Sequence, residues 1–275
     1  MSQTYVLDRT DRELDRLDLQ GIIYRDATRR ALTDCGITPG MRVLDIGCGS
    51  GDVTRLAASL VGPSGSVLGV DMNAESVAAA RARAAQSGVG NVTFETGEAA
   101  SFAEPRSFDA LVARFFLMHQ PSPGETLAAA ARAVRPGGVV MMLESHMAGL
   151  LDTQHSYPHS EMYDAIVRWK CRVVSAAGAD LEAGLALYRT FRAAELPEPE
   201  LRMEAPVEGG ADSLIFRYMA ESIRSMLPMA ESHQIAGFDA DEVAGLEDNL
   251  RDDVVANEGV LVCWPVVSAY CRLVR

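Results

Sequence analysis

Ten residues, Val43-Leu-Asp-Ile-Gly-Cys-Gly-Ser-Gly-Asp52, carry the densest chemical signal in this 275-residue chain. A β-branched run, Met41 to Ile46, leads into Gly47-x-Gly49-x-Gly51, and Val53 to Val61 follows with helical periodicity. Glycines at such a bend let the backbone approach a ligand closely, and the first turn of the helix offers free N–H groups. Twenty-two residues after Gly49, Asp71 ends a second strand, Ser66 to Asp71, where a carboxylate can accept both hydroxyls of a ribose. The glycine triplet alone is weak. Strand, triplet, helix and acid together specify a nucleoside-containing cofactor.

Two further carboxylates narrow the kind of cofactor. A dinucleotide site usually has its third glycine one position later, where this chain has Asp52. A negative charge there, beside two phosphates, is unfavourable, and Asp45 just ahead of the first glycine points the same way. Carboxylates suit a cofactor that is cationic near the loop and lacks phosphates. S-adenosylmethionine fits, with its sulfonium, its ammonium and its ribose diol. The rival enzyme class is a nucleotide-dependent dehydrogenase, and the non-enzymatic rival is a cofactor-binding protein without catalysis.

Val43 to Asp52 resembles motif I of the class I S-adenosylmethionine-dependent methyltransferases, more narrowly the small-molecule branch near the ubiquinone and menaquinone C-methyltransferases and natural-product methyltransferases. Similar segments follow in order: Gly69 to Asn73, Thr96 to Ala99, Phe108 to Arg114, Leu117 to Pro121, and Val134 to Gly138. The resemblance implies a cofactor seat, with S-adenosylhomocysteine as product and no metal. Asp45 and the backbone of Gly47, Cys48, Gly49 and Gly51 would hold the methionyl part, and Asp71 the ribose. Met72 would lie against the adenine, with Glu98 on its amino group and the Ala99 N–H on a ring nitrogen. The family more often has Asp where Glu98 stands. Arg114 would present its backbone carbonyl to the ammonium, and Tyr24 would close over the methionyl carboxylate.

The acceptor side is read from His119, His155, Glu144 and His146. Methyl transfer needs alignment and a dry pocket, and a base only when the acceptor must lose a proton. His119 follows the fourth strand, and its plainer reading is a loop histidine bonded to backbone. His155 and His159 are four apart, but Pro158 breaks the helix that would align them on a metal, and no carboxylate has ligand spacing. Glu144 and His146 end the fifth strand, at the carboxyl edge where open α/β sheets bind ligands. Cys48 is taken for its small size. Met219, Met226 and Met229 recur at helical spacing, which means core, a subunit contact, or a lid over an apolar acceptor.

These residues need elements to hold them. Strand-like and helix-like segments alternate from Met41 to Glu144, with strands at Ser66–Asp71, 91–95, 108–113 and 139–144 and helices at 74–87 and 124–134, the last stopped by Pro136-Gly-Gly. That alternation predicts an α/β, doubly wound, mostly parallel sheet, seven-stranded and Rossmann-like by the resemblance. One domain is expected. Its core is 41–145, 180–207 and 259–275, with an N-terminal helical segment 1–40 and cap insertions 146–179 and 208–258 forming a lid. The expected strand over 200–207 belongs to the core. Asp212 to Asp253 reads as helical, interrupted at Pro228 and Gly237.

Composition bounds the partners. Thirty-eight acidic against 25 basic residues give a net charge of −13, which disfavours nucleic acid and anionic membranes. All of the basic residues but Lys170 are arginine. No apolar run reaches the length of a membrane span, no secretory signal is visible at the N-terminus, and five scattered cysteines look like reduced thiols, so a cytoplasmic protein is expected. The N-terminal helices or the cap leave room for a homo-oligomeric contact. The expected activity is methyl transfer to a small, largely apolar natural product, at carbon or, with a histidine base, at oxygen or nitrogen.

Overall fold

A computed structural model describes residues 11–98 and 107–274. These form two compact units, the first made of Tyr24–His146, Glu182–Glu204 and the chain from Val266, the second of the chain through Ile23, Met147–Leu181 and Ala205–Pro265.

The first unit is built on a seven-stranded sheet. Its strands are β1 (Arg42–Ile46), β2 (Ser66–Asp71), β3 (Val92–Thr96), β4 (Phe108–Arg114), β5 (Val134–Ser145), β7 (Glu200–Glu204) and β10 (Val266–Arg272), in the order β3-β2-β1-β4-β5-β10-β7. Only β10 runs against its neighbours. The helices are α2 (Arg25–Asp34), α3 (Asp52–Val61), α4 (Ala74–Gln86), α5 (Pro123–Ala131) and α7 (Ala183–Ala193). Strand residues such as Leu44, Ile46, Leu111, Val140 and Met142 are buried against Leu127 of α5 and Leu187 and Phe191 of α7. A smaller cluster, Cys48, Val77, Ala80, Ala84 and Phe94, covers the other side of β2 and β3. The strand order reverses between β1 and β4, and crevices at the carboxyl ends of strands at such a switch are where doubly wound sheets take ligands.

The second unit is mainly helical: α1 (Asp11–Ile23), α6 (Glu161–Ala176), α8 (Ile215–Ser232), α9 (Ala240–Ala244) and α10 (Leu246–Ala256). A small antiparallel sheet joins β6 (Ser156–Tyr157), β9 (Val260–Val262) and β8 (Val207–Gly209) in the order β6-β9-β8. Met219, Met226 and Met229 lie on the buried face of α8, which packs on α1, α6 and α10. Lys170 is buried, with its ammonium 4.1 Å from the Trp264 ring centre and 4.8 Å from that of Tyr218.

Three expectations are corrected, and one feature is new. Pro228 does not interrupt α8, whose apolar face (Phe216, Met219, Ile223 and Met226) buries enough surface to outweigh a lost bond of about 3 kcal/mol. The helix expected through Val134 stops at Ala131, because Phe108 takes the Ala133 carbonyl and pairs with Val134, drawing the chain into β5. The single strand expected over 200–207 is two: β7 ends at Glu204, and Pro206, which cannot donate to a ladder, precedes β8 in the other sheet. The pairing of Ser156 and Tyr157 with β9 was not foreseen, since two residues carry no readable period. No helix among the described residues is long and apolar enough to cross a membrane.

Candidate functional site

The glycine loop joins β1 to α3, and all three of its glycines have positive φ: 67° at Gly47, 52° at Gly49 and 79° at Gly51. Their surroundings differ. A Cβ on Gly47 would stand 2.5 Å from Phe116 Cδ2, and one on Gly51 2.8 Å from Phe94 Cε1. One on Gly49 would meet nothing within 4 Å. Two glycines are therefore required by protein packing, while the third faces open space.

Asp71, at the end of β2, accepts the Gly49 N–H at 2.9 Å with one carboxylate oxygen and the Asn73 N–H at 2.9 Å with the other. A carboxylate oxygen can accept more than one hydrogen bond. The carboxylate thus holds the loop and presents an acceptor to it. Asn73 in turn caps α4 through the Ser76 N–H. Next to Asp71, the Met72 side chain is 67% exposed, a large apolar surface beside the open loop.

Asp45 is buried beneath the loop, and its carboxylate accepts the Thr54 hydroxyl at 2.5 Å. Burial pushes its pKa up to about 7; the Thr54 bond and Arg114 oppose the rise, and the Asp52 and Asp71 charges add to it. Asp52, the first residue of α3, pairs with the guanidinium of Arg114, whose side chain is 6% exposed. This corrects the charge argument made from Asp52: its charge is offset from β4 and is not free to repel a phosphate.

β4 ends in Arg114, followed by Phe115 at φ 53° and the turn Leu117–His119. The Phe115 ring meets Tyr24 edge-on, with 5.3 Å between centres, and Tyr24 is buried. Glu144, fully buried on β5, accepts the N–H groups of Phe116 at 2.9 Å, Leu117 at 2.7 Å and Met118 at 3.4 Å. A carboxylate so occupied fixes the turn that bears His119. The carboxylate expected on the acceptor side is thus engaged by three backbone donors. His119 is half-buried on that turn. His146, just past β5, has its Nδ1 buried without a hydrogen-bond partner among the described residues.

The structure brings together Tyr24, Asp45, the loop, Asp71, Met72, Arg114, His119, Glu144 and His146 in the first unit. His155 belongs to the second, where it is buried with Nδ1 2.9 Å from the Thr153 carbonyl and Nε2 3.2 Å from Asp164. Its Nε2 faces that carboxylate but makes no hydrogen bond among the described residues. His159 is exposed. No group of three or more His, Cys, Asp or Glu among the described residues is arranged for a metal. Cys48 packs as a small apolar side chain. Glu98 is exposed, and Ala99 lies outside the described residues. Sequence reasoning missed the Arg114 side chain, Thr28, Thr54 and Phe116, whose roles depend on residues distant in the chain.

Residues 37–195 match a family model described as a methyltransferase domain. The ubiquinone/menaquinone biosynthesis C-methyltransferase of Ectopseudomonas mendocina is 36% identical over 133 residues, 48% of this chain and 52% of that protein. Nocamycin O-methyltransferase of Saccharothrix syringae is 38% identical over 130 residues, 46% of each chain. The chain spans about half the length of these curated relatives. Among solved structures, phosphoethanolamine N-methyltransferase 2 of Haemonchus contortus, with phosphomonomethylethanolamine and S-adenosylhomocysteine, superposes with a TM-score of 0.59 at 20% identity, covering 100% of this chain and 61% of that one.

Proposed function

Since this chain belongs to the methyltransferase-domain family, of the class I S-adenosylmethionine-dependent kind, we propose that it transfers a methyl group from S-adenosylmethionine to a small, largely apolar natural product, at carbon. Family membership removes the dehydrogenase as a competing reading. The observation that carries the cofactor assignment is the loop itself: Gly49 faces open space, the Asp71 carboxylate is bonded to its N–H, and apolar Met72 is exposed next to both.

The residues present fit the cofactor. Asp71 would hold the ribose diol, Met72 would cover the adenine, and the loop N–H groups with Asp45 would face the methionyl part. When bound, the cofactor supplies an electrophilic methyl carbon on its sulfonium. The chain's part is then alignment and exclusion of water. Glu144 holds the turn after β4 in one conformation, and Phe115 and Phe116 line its start with apolar surface that keeps water from the reacting centre. An ionised Asp45 attracts the cationic end of the cofactor.

A second reading, transfer to oxygen or nitrogen with a histidine base, has its support in His146, whose buried Nδ1 has no hydrogen-bond partner among the described residues. The relatives compared above are a C-methyltransferase and an O-methyltransferase by name. Incubation with methyl-labelled cofactor and a panel of phenols, enols and prenylated rings, followed by mass spectrometry of the products, tests both readings. A C-methylated product supports the first reading, an O- or N-methylated one the second, and no labelled product from any acceptor refutes both.

A further inference from the structure

We propose that the Arg114 side chain is a positioning residue of the cofactor seat, tying the start of α3 to α2 through Asp52 and Thr28; this rests on reading the loop as a seat for S-adenosylmethionine. The geometry is that of a three-way joint. Arg114 ends β4, and one arm of its guanidinium pairs with Asp52, the residue directly after Gly51. The other arm donates to Thr28 Oγ1 at 2.9 Å, and that hydroxyl donates to the Tyr24 carbonyl at 2.7 Å. The guanidinium also lies 5.3 Å from the centre of the Phe115 ring, which packs on Tyr24. One planar cation thereby joins the glycine loop, the helix before β1 and the aromatic pair after β4. A planar fork can hold two partners in fixed directions where an ammonium cannot.

Arg114 also sets the charge of the seat. The groups acting on buried Asp45 are Thr54 and Asp52 from α3, Asp71 from β2 and Arg114 from β4, and Arg114 is the one cation among them. Without it, only the Thr54 bond opposes Asp52 and Asp71, and Asp45 ionises at higher pH. An uncharged Asp45 attracts a cationic ligand less.

The test is the dissociation constant for S-adenosylmethionine as a function of pH in the wild type, Arg114→Met, Arg114→Lys, and Asp52→Asn combined with Arg114→Met. Arg114→Met is expected to bind about tenfold more weakly near neutrality, with the pH midpoint of binding raised by about one unit. Arg114→Lys keeps the wild-type midpoint but regains only part of the affinity, because it restores charge without the fork. The double variant returns the midpoint towards wild type, since it removes acid and base together; a purely structural loss would not be corrected this way. Wild-type affinity and midpoint in Arg114→Met, or a double variant no closer to wild type than the single, overturns the proposal alone. Failure of the wild-type protein to bind overturns the cofactor reading and this proposal with it. Should Arg114→Met fail to fold, Arg114→Lys and the double variant carry the comparison.

Discussion

Adding one methyl group to each loop glycine separates packing from binding. Gly47, Gly49 and Gly51 all have positive φ, so alanine at any of them costs about 1–2 kcal/mol of backbone strain. At Gly47 the new Cβ also meets Phe116 Cδ2 at 2.5 Å, and the Phe116 backbone is held by Glu144, so the ring yields only with strain. At Gly51 it meets Phe94 Cε1 at 2.8 Å and Ala80 Cβ at 3.0 Å. Overpacking of this kind adds about 1–3 kcal/mol, for totals of about 2–5 kcal/mol at these two sites. Gly49→Ala has no protein atom to displace and is expected to lose only the strain, about 1–2 kcal/mol. Its methyl points instead into the space assigned to the cofactor, where a cost of about 1–3 kcal/mol is a roughly 5- to 150-fold loss of affinity. Urea denaturation of the three apo variants, with calorimetric titration of S-adenosylmethionine, gives both numbers. Gly49→Ala binding as tightly as wild type, or unfolding as readily as Gly47→Ala, would refute the reasoning.

Glu144→Gln keeps the shape but loses the charge facing three N–H donors, and is expected to cost about 1–3 kcal/mol in urea denaturation. Methyl transfer should slow while the dissociation constant for cofactor stays unchanged; an unchanged rate would count against a positioning role. Asp45 titrates at about 7 in the folded chain against 3.8 ordinarily, so its folded state favours the proton. Its contribution to apo stability is therefore full below about pH 4 and is lost as pH rises through about 7, while cofactor affinity rises over the same interval. Asp45→Asn should remove that slope from both measurements. His119→Asn and His146→Asn distinguish the two acceptor chemistries. Turnover should stay within a few-fold of wild type for a carbon acceptor, and should fall by about 10²–10⁴ in one of them if a base is needed.

The parts of this protein that could be read in advance are those that short-range chemistry dictates. Met41 to Asp52 is legible because a β-branched run, three glycines and a helical period sit side by side, and each constrains the same backbone. Asp71 follows because a second strand parallel to β1 must bring its end beside the loop. The side-chain wiring was hidden because it is long-range. Arg114 reaches Asp52 across 62 residues, and Glu144 reaches Leu117 across 27, with no local pattern at either end. The surroundings of His155 were hidden for the same reason: Asp164, 3.2 Å from its Nε2, is on α6. Pro228 shows the opposite case, a clear local signal overruled by the packing of α8.

The central claim is that the loop from Gly47 to Gly51, with Asp71, seats S-adenosylmethionine. Equilibrium titration of the purified protein with S-adenosylmethionine and, separately, with NAD tests it most directly. Saturable binding of S-adenosylmethionine that is lost in Asp71→Ala, with no binding of NAD, is the predicted result. Binding of NAD without S-adenosylmethionine, or S-adenosylmethionine binding that survives Asp71→Ala unchanged, would contradict it.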